Sequence, residues 1–92
     1  GADMHTASIF PGADQLDLAL NGDDLLVAMR APGAPEPRIT LSAKILKSAM
    51  RRHMVIIGGE KRDALERARN LPPEEAPVAA ILSGTTVHWA ER

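Results

Sequence analysis

The sequence predicts an α/β fold built on a parallel sheet, and three observations lead to this expectation. Segments with the residue patterns of strands and helices alternate along the second half of the chain. The apolar stretch Met54–Ile57 does not alternate with polar residues, which is typical of a parallel strand covered on both faces. Gly58 and Gly59 end this stretch directly before a segment of helical periodicity.

Length and composition describe a single globular domain. The chain has 92 residues, of which 45% are hydrophobic and 25% are charged, as in ordinary globular proteins. It has no cysteine, which excludes disulfide frameworks and thiolate zinc sites and permits a reducing compartment. No apolar run approaches the roughly 20 residues that span a bilayer, so we expect a cytoplasmic protein without a membrane partner.

Charge is distributed unevenly around a net value of -1. Residues 1–37 carry six acidic residues and one arginine, whereas residues 38–71 carry nine basic and three acidic residues. A basic centre is suited to phosphate, but Phe10 and Trp89 are the only aromatic residues available for base stacking. We therefore expect no nucleic-acid partner.

The first 37 residues are predicted to hold one strand. Residues 1–23 lack a clear period and contain two turn signals, so they are interpreted as loop with a short helical turn around Ser8. Leu25–Ala31 is predicted to be a strand. The prolines and glycine of residues 32–37 predict an extended surface connector, because proline fixes its own φ and restricts the preceding residue.

The remaining chain is predicted to alternate between strands and helices. Ser42 is the expected N-cap of a helix that runs to about Met50. The other expected elements are a strand over Arg38–Leu41, a strand over His53–Ile57, a helix over Glu60–Asn70, a short helix from Glu74 to Leu82 and a strand over Thr85–Ala90. Two full helices are too few to cover both faces of a parallel sheet. We therefore expect a missing N-terminal half or a second copy to complete the sheet.

One candidate site combines Asp3 and His5. A carboxylate two residues from an imidazole can fix the orientation of the ring for general-base catalysis, although an exposed or capping loop histidine is the alternative. The three histidines of the chain have no metal-ligand spacing, so no metal is expected. Ser8 lies nearby, but no G-x-S-x-G nucleophile motif is present.

The second candidate site is the turn Gly58-Gly59-Glu60-Lys61. Glycines that open a helix after a strand present free backbone N–H groups, and Lys61 adds a positive charge in the first turn. This pattern indicates an anion site, with a plain strand-to-helix turn as the alternative. Arg38, at the start of a β-rich segment, is either a further phosphate ligand or a surface charge.

These motifs occur in an order that resembles the 6-phosphogluconolactonase family. The segment from Asp3 to Gly12 is similar to the family's D-G-H-T-A-S-L-F-P-G, and the segment from Pro37 to Leu41 resembles its P-x-R-I-T-L. The turn at residues 58–61 resembles the family's strand-end G-x-x-K. Met4 stands where the family usually has glycine, which raises the question of whether this turn keeps a positive φ.

The resemblance implies the Rossmann-like fold of the glucosamine-6-phosphate deaminase/ribose-5-phosphate isomerase type, with residues 1–92 as the C-terminal fragment of one domain. It implies hydrolysis of 6-phosphoglucono-1,5-lactone in the oxidative pentose phosphate pathway, without metal or cofactor. The implied catalytic residues are His5 and Asp3. The implied phosphate-binding residues are Lys61, Arg38, Gly58 and Gly59.

Two other functions stay open from the sequence. One is a sugar-phosphate deaminase or isomerase of the same fold, whose corresponding segment reads G-H-I-A-F-N-E-P. The other is a non-catalytic protein that binds sugar phosphates. In all cases we expect the isolated fragment to be inactive, because the family's N-terminal glycine-rich phosphate loop is absent from these residues.

Overall fold

The computed structural model describes all 92 residues. Its elements are helix α1 (Leu16–Asn21), strands β1 (Leu26–Ala31) and β2 (Ala34–Leu41), helix α2 (Ala43–Ser48), strand β3 (Arg52–Ile57), helix α3 (Gly59–Ala68), a 3₁₀ helix (Pro77–Ile81) and strand β4 (Thr85–Ala90). The strands form two separate pairs, an antiparallel β1–β2 hairpin and a parallel β3–β4 pair.

The β3–β4 pair confirms the predicted strand-helix-strand unit. The two strands run in parallel register from Arg52 opposite Thr85 to Ile57 opposite Ala90, connected by α3 and the 3₁₀ helix. Within these residues β3 is covered on one face only, as expected from the small number of helices. Both helical elements pack on one face, so exposure alternates along the strand and Val55 is 73% exposed on the other.

The prediction of an extended connector over residues 32–37 is wrong, because residues 34–37 belong to a strand. Pro32 and Gly33 form a tight turn, and the chain then returns as β2, which contains both following prolines. Proline is tolerated there because β2 pairs with β1 alone, so one edge of β2 needs no N–H donor. The first two strands are therefore a hairpin beside the parallel pair, not members of a single parallel sheet.

The amino-terminal segment is more ordered than predicted. Thr6 and Ile9 exchange backbone hydrogen bonds of 3.2 and 2.8 Å around a tight turn, which replaces the expected helical turn at Ser8. Helix α1 was not predicted, because Leu16, Leu18 and Leu20 alternate and show no helical period, so this segment was interpreted as loop. Its helical spacing nevertheless buries Ala19 and Leu20 against the hairpin.

Helix α2 connects the two halves of the core. Ser42 caps it as predicted, with its Oγ accepting from the Ile45 backbone N–H at 3.4 Å, and the helix ends at Ser48, slightly before the predicted end. One buried cluster surrounds Ile9 beneath the hairpin, a second lies between α3, the 3₁₀ helix and the parallel pair, and a smaller third one groups Phe10 with Ala31 and Ala34. Leu46 of α2 packs against the first two clusters. The amino-terminal segment contacts the same two clusters, through Ile9 in the first and Met4 against the second.

Candidate active site

The backbone conformation at Met4 directs His5 toward strand β3 of the parallel pair. Met4 has a φ of +69°, so this position keeps the left-handed conformation for which glycine is favoured. Its N–H donates to the Gly1 carbonyl at 2.9 Å, and its carbonyl accepts from the Val78 N–H at 3.0 Å. The turn therefore keeps its positive φ although Met4 stands where the similar family segment has glycine.

Asp3 and His5 form the pair that the sequence predicts. Asp3 Oδ1 lies 2.5 Å from His5 Nδ1 and also accepts the His5 backbone N–H at 3.2 Å. With Nδ1–H donating to the carboxylate, the Nε2 atom of His5 is the nitrogen available for proton transfer. Both side chains remain partly exposed, at 45% for Asp3 and 31% for His5. A histidine oriented by a carboxylate in this way is suited to general-base catalysis.

The pKa of Asp3 is lowered from its ordinary value. Partial burial acts to raise this pKa, but the hydrogen bonds from the His5 ring and from the His5 backbone N–H, together with the charge of His5, outweigh it. Asp3 therefore stays ionised, and can orient the imidazole, at neutral pH.

Substitution of Asp3 by asparagine is expected to change the pH dependence of stability. Because the folded-state pKa is lowered, Asp3 stabilises the folded state above its ordinary pKa of 3.8, and this contribution is lost as pH falls through the folded value. Urea unfolding of both proteins between pH 7 and pH 2.5 should show wild type losing more stability than Asp3→Asn toward the acid end. If the free energy of unfolding falls equally with pH in the two proteins, the lowered pKa of Asp3 is contradicted.

His5 and Lys61, 56 positions apart, line the same pocket. The pocket has a volume of about 210 Å³ and lies between the amino-terminal turn, β3 and the start of α3. Its walls are mainly apolar, with Met4, Ile56 and Val78 among them. An imidazole and an ammonium group in one mostly apolar recess can act on two different parts of a single ligand.

Gly58 shapes the turn that leads into α3. Its φ of +97° and ψ of 158° lie in a region that is open almost only to glycine. Its N–H donates to the Ala90 carbonyl, and its carbonyl accepts from Trp89 Nε1, both at 2.9 Å. These bonds from β4 fix the start of α3, and with it the position of Lys61 in the first turn.

Alanine substitutions at the two glycines are expected to differ sharply. Gly58→Ala should cost about 1–3 kcal/mol of unfolding free energy, because alanine must adopt a conformation that L-residues avoid. Gly59→Ala is the matched control, since an added Cβ there meets no atom within 4 Å and the φ is ordinary. Chemical denaturation tests both, and equal effects would contradict the proposed role of the Gly58 conformation.

Arg38 and Ser8 lie outside the residues that line the pocket. The Arg38 guanidinium is 5.4 Å from the centroid of the Phe10 ring, and that ring is stacked on His5 at 4.3 Å. The Ser8 backbone N–H donates to Thr40 Oγ1, which ties the turn to β2. A phosphate-binding role for Arg38 stays a prediction.

Sequence reasoning missed two contacts around the site. Phe10 stacks on His5, and Trp89 holds the Gly58 carbonyl. An aromatic residue five positions after the histidine was visible, but nothing in the sequence indicated that its ring faces the imidazole.

Elsewhere, His53 and His88 approach to 3.0 Å across β3 and β4, and no group of three metal-ligating side chains is found. No helix is long and apolar enough to cross a membrane.

The fold and the pocket together define an α/β protein with a histidine–aspartate pair beside a lysine-bearing helix start. Residues 1–89 match the family described as glucosamine-6-phosphate isomerases/6-phosphogluconolactonase, and the chain belongs to this family.

Individual relatives agree with this membership. The chain is 38% identical, in an alignment of 93 positions including gaps, to a 6-phosphogluconolactonase of Pseudomonas aeruginosa. It is 36% identical, in an alignment of 97 positions, to one of Rhizobium meliloti, and the two matches cover 97% and 98% of this chain. A crystal structure of a 6-phosphogluconolactonase from Shewanella baltica superimposes on 97% of the chain with a TM-score of 0.90 and 30% identity. The chain spans about two fifths of the length of these relatives, at 39%, 42% and 40%.

Proposed function

We propose that the whole protein hydrolyses 6-phosphoglucono-1,5-lactone, with His5 and Lys61 in its active site. The observation that carries the proposal is the shared pocket, in which a histidine oriented by Asp3 and a cationic helix start are brought together. Relatives that bear the name 6-phosphogluconolactonase support the choice of substrate.

In the proposed reaction, His5 acts as general base and then as general acid. Nε2 takes a proton from water while the water oxygen forms a bond to the lactone carbonyl carbon. In the tetrahedral intermediate, the bond between the carbonyl carbon and the ring oxygen then breaks. The ring oxygen receives the proton from Nε2, and the lactone ring opens to the carboxylic acid. Asp3 orients the ring and stabilises the imidazolium that forms between the two steps.

Lys61 is proposed to bind the substrate phosphate. Its side chain extends from the first turn of α3, whose amino terminus favours anions. Gly59 begins this helix, whereas the Gly58 N–H is bonded to the Ala90 carbonyl and is not free for the phosphate, contrary to the expectation from the sequence. A phosphate held away from the carbonyl supplies binding free energy that orients the lactone without taking part in the bond changes.

We propose that the rest of a longer domain completes this site and covers the exposed sheet faces. The chain spans about two fifths of its relatives, and apolar residues such as Val55 and Ile39 are 73% and 72% exposed. Residues 1–92 alone are accordingly expected to be inactive. A cytoplasmic location stays a prediction, which fractionation of the source cells tests.

The experiment that tests the function is a substrate comparison on the whole protein. Acid release from the phosphorylated lactone should be fast, with no turnover of glucosamine 6-phosphate or ribose 5-phosphate. The deaminase alternative is disfavoured because Pro11 and Gly12 follow Phe10 where the deaminase segment has Asn-Glu. Binding of the lactone without hydrolysis would instead support the non-catalytic alternative.

A further inference from the structure

His5 of the catalytic pair, Phe10 and Arg38 form a stack centred on the Phe10 ring. The rings of His5 and Phe10 are 4.3 Å apart at their centroids with an angle of 24° between their planes. The Arg38 guanidinium carbon lies 5.4 Å from the centroid of the same Phe10 ring. Phe10 is only 5% exposed, so its ring is confined by its surroundings.

The β1–β2 hairpin holds this stack in place. Arg38 and Thr40 lie on the same face of β2, and Thr40 Oγ1 accepts the Ser8 backbone N–H at 3.1 Å. Phe10 clusters with Ala31 and Ala34 from the two ends of the hairpin turn. The hairpin therefore contacts the segment that bears His5 at several points.

Two constraints on His5 follow from these contacts. The hydrogen bond to Asp3 fixes the direction of Nδ1 but leaves the imidazole free to tilt about that bond. Stacking on a confined flat ring fixes the plane of the imidazole, and the planar guanidinium restrains the Phe10 ring in turn. Together they leave Nε2 a single direction, which general-base catalysis requires.

We infer that Phe10 and Arg38 are positioning residues for the general base His5, with Arg38 acting through the Phe10 ring. The inference rests on the proposed lactonase function. It extends the site to the hairpin and gives Arg38 a role that requires no contact with substrate.

Arg38→Met in the whole protein separates this role from phosphate binding. Methionine keeps an unbranched apolar side chain on an exposed strand position but removes the flat charged group. We expect kcat for lactone hydrolysis to fall about two- to fivefold with KM unchanged. Arg30→Met on β1 is the matched control, because Arg30 is exposed on the same hairpin and outside the stack. A raised KM with unchanged kcat would overturn the inference and favour Arg38 as a phosphate ligand.

Proton NMR of the His5 ring supplies a readout that does not depend on turnover. In wild type the ring protons should be shifted upfield by the Phe10 ring current. Phe10→Leu should abolish this shift and lower kcat about five- to tenfold, whereas Phe10→Tyr should retain most of both. Arg38→Met should move the same resonances, and Arg30→Met should not.

The two readouts distinguish failure of the inference from failure of the proposed function. If the His5 resonances are identical in wild type, Phe10→Leu and Arg38→Met, the stack does not position the ring and the inference is overturned. If wild type shows the stacked signature but no lactone turnover, the proposed function fails and the positioning role fails with it.

Discussion

Substitution of His5 by alanine in the whole protein is expected to lower kcat for lactone hydrolysis by about 10²- to 10⁴-fold. This range is the usual contribution of a positioned general base, and no other histidine lines the pocket. Binding of 6-phosphogluconate should not be abolished, because Lys61 and the start of α3 remain in place to hold its phosphate. Steady-state kinetics and calorimetric titration measure the two quantities separately.

Asn70→Ala is the control for this substitution. Asn70 is exposed after the end of α3, away from the sheet faces and outside the pocket, so its removal should leave kcat within about twofold of wild type. Near-normal turnover by the His5 variant would remove His5 from the mechanism. Equal losses in both variants would indicate a general effect on folding.

Substitution of Lys61 by alanine is expected to raise KM about 10- to 100-fold with a smaller change in kcat. A hydrogen bond between charged groups contributes roughly 1.5–3 kcal/mol, and the phosphate lies away from the carbonyl that reacts. The same variant should hydrolyse an unphosphorylated gluconolactone at the wild-type rate, because that substrate has no group for Lys61 to bind.

Lys47→Ala is the control, since Lys47 is an exposed lysine on α2 outside the His5 pocket. Its KM for the phosphorylated lactone should match that of wild type. If Lys61→Ala binds 6-phosphogluconate as tightly as wild type, the phosphate is held elsewhere.

The sequence predicted the elements whose signals are local. The apolar run before Gly58, the Ser42 cap and the alternation of Thr85–Ala90 each depend on nearby residues, and β3, α2 and β4 lie where these signals indicate. The Asp3–His5 hydrogen bond was predictable for the same reason, since its partners are only two positions apart.

The sequence did not predict features that depend on distant partners. Strand β2 continues through two prolines because only one of its edges is paired. Which edge is unpaired depends on the sheet topology, which the local sequence does not indicate. Helix α1 is set by burial of Ala19 and Leu20 against the hairpin, which overrides the alternating leucines. The stack of Arg38 on Phe10 joins residues 28 positions apart, so no local spacing indicates it.

In the proposed function, His5 and Lys61 act on opposite ends of one ligand. A crystal structure of the whole protein with 6-phosphogluconate tests it most directly, because that product carries both the carboxylate formed from the lactone and the phosphate. We expect the phosphate to lie within hydrogen-bond distance of Lys61 Nζ and the carboxylate to lie beside His5 Nε2. A product bound with its phosphate away from Lys61, or with its carboxylate outside the reach of His5, would contradict it.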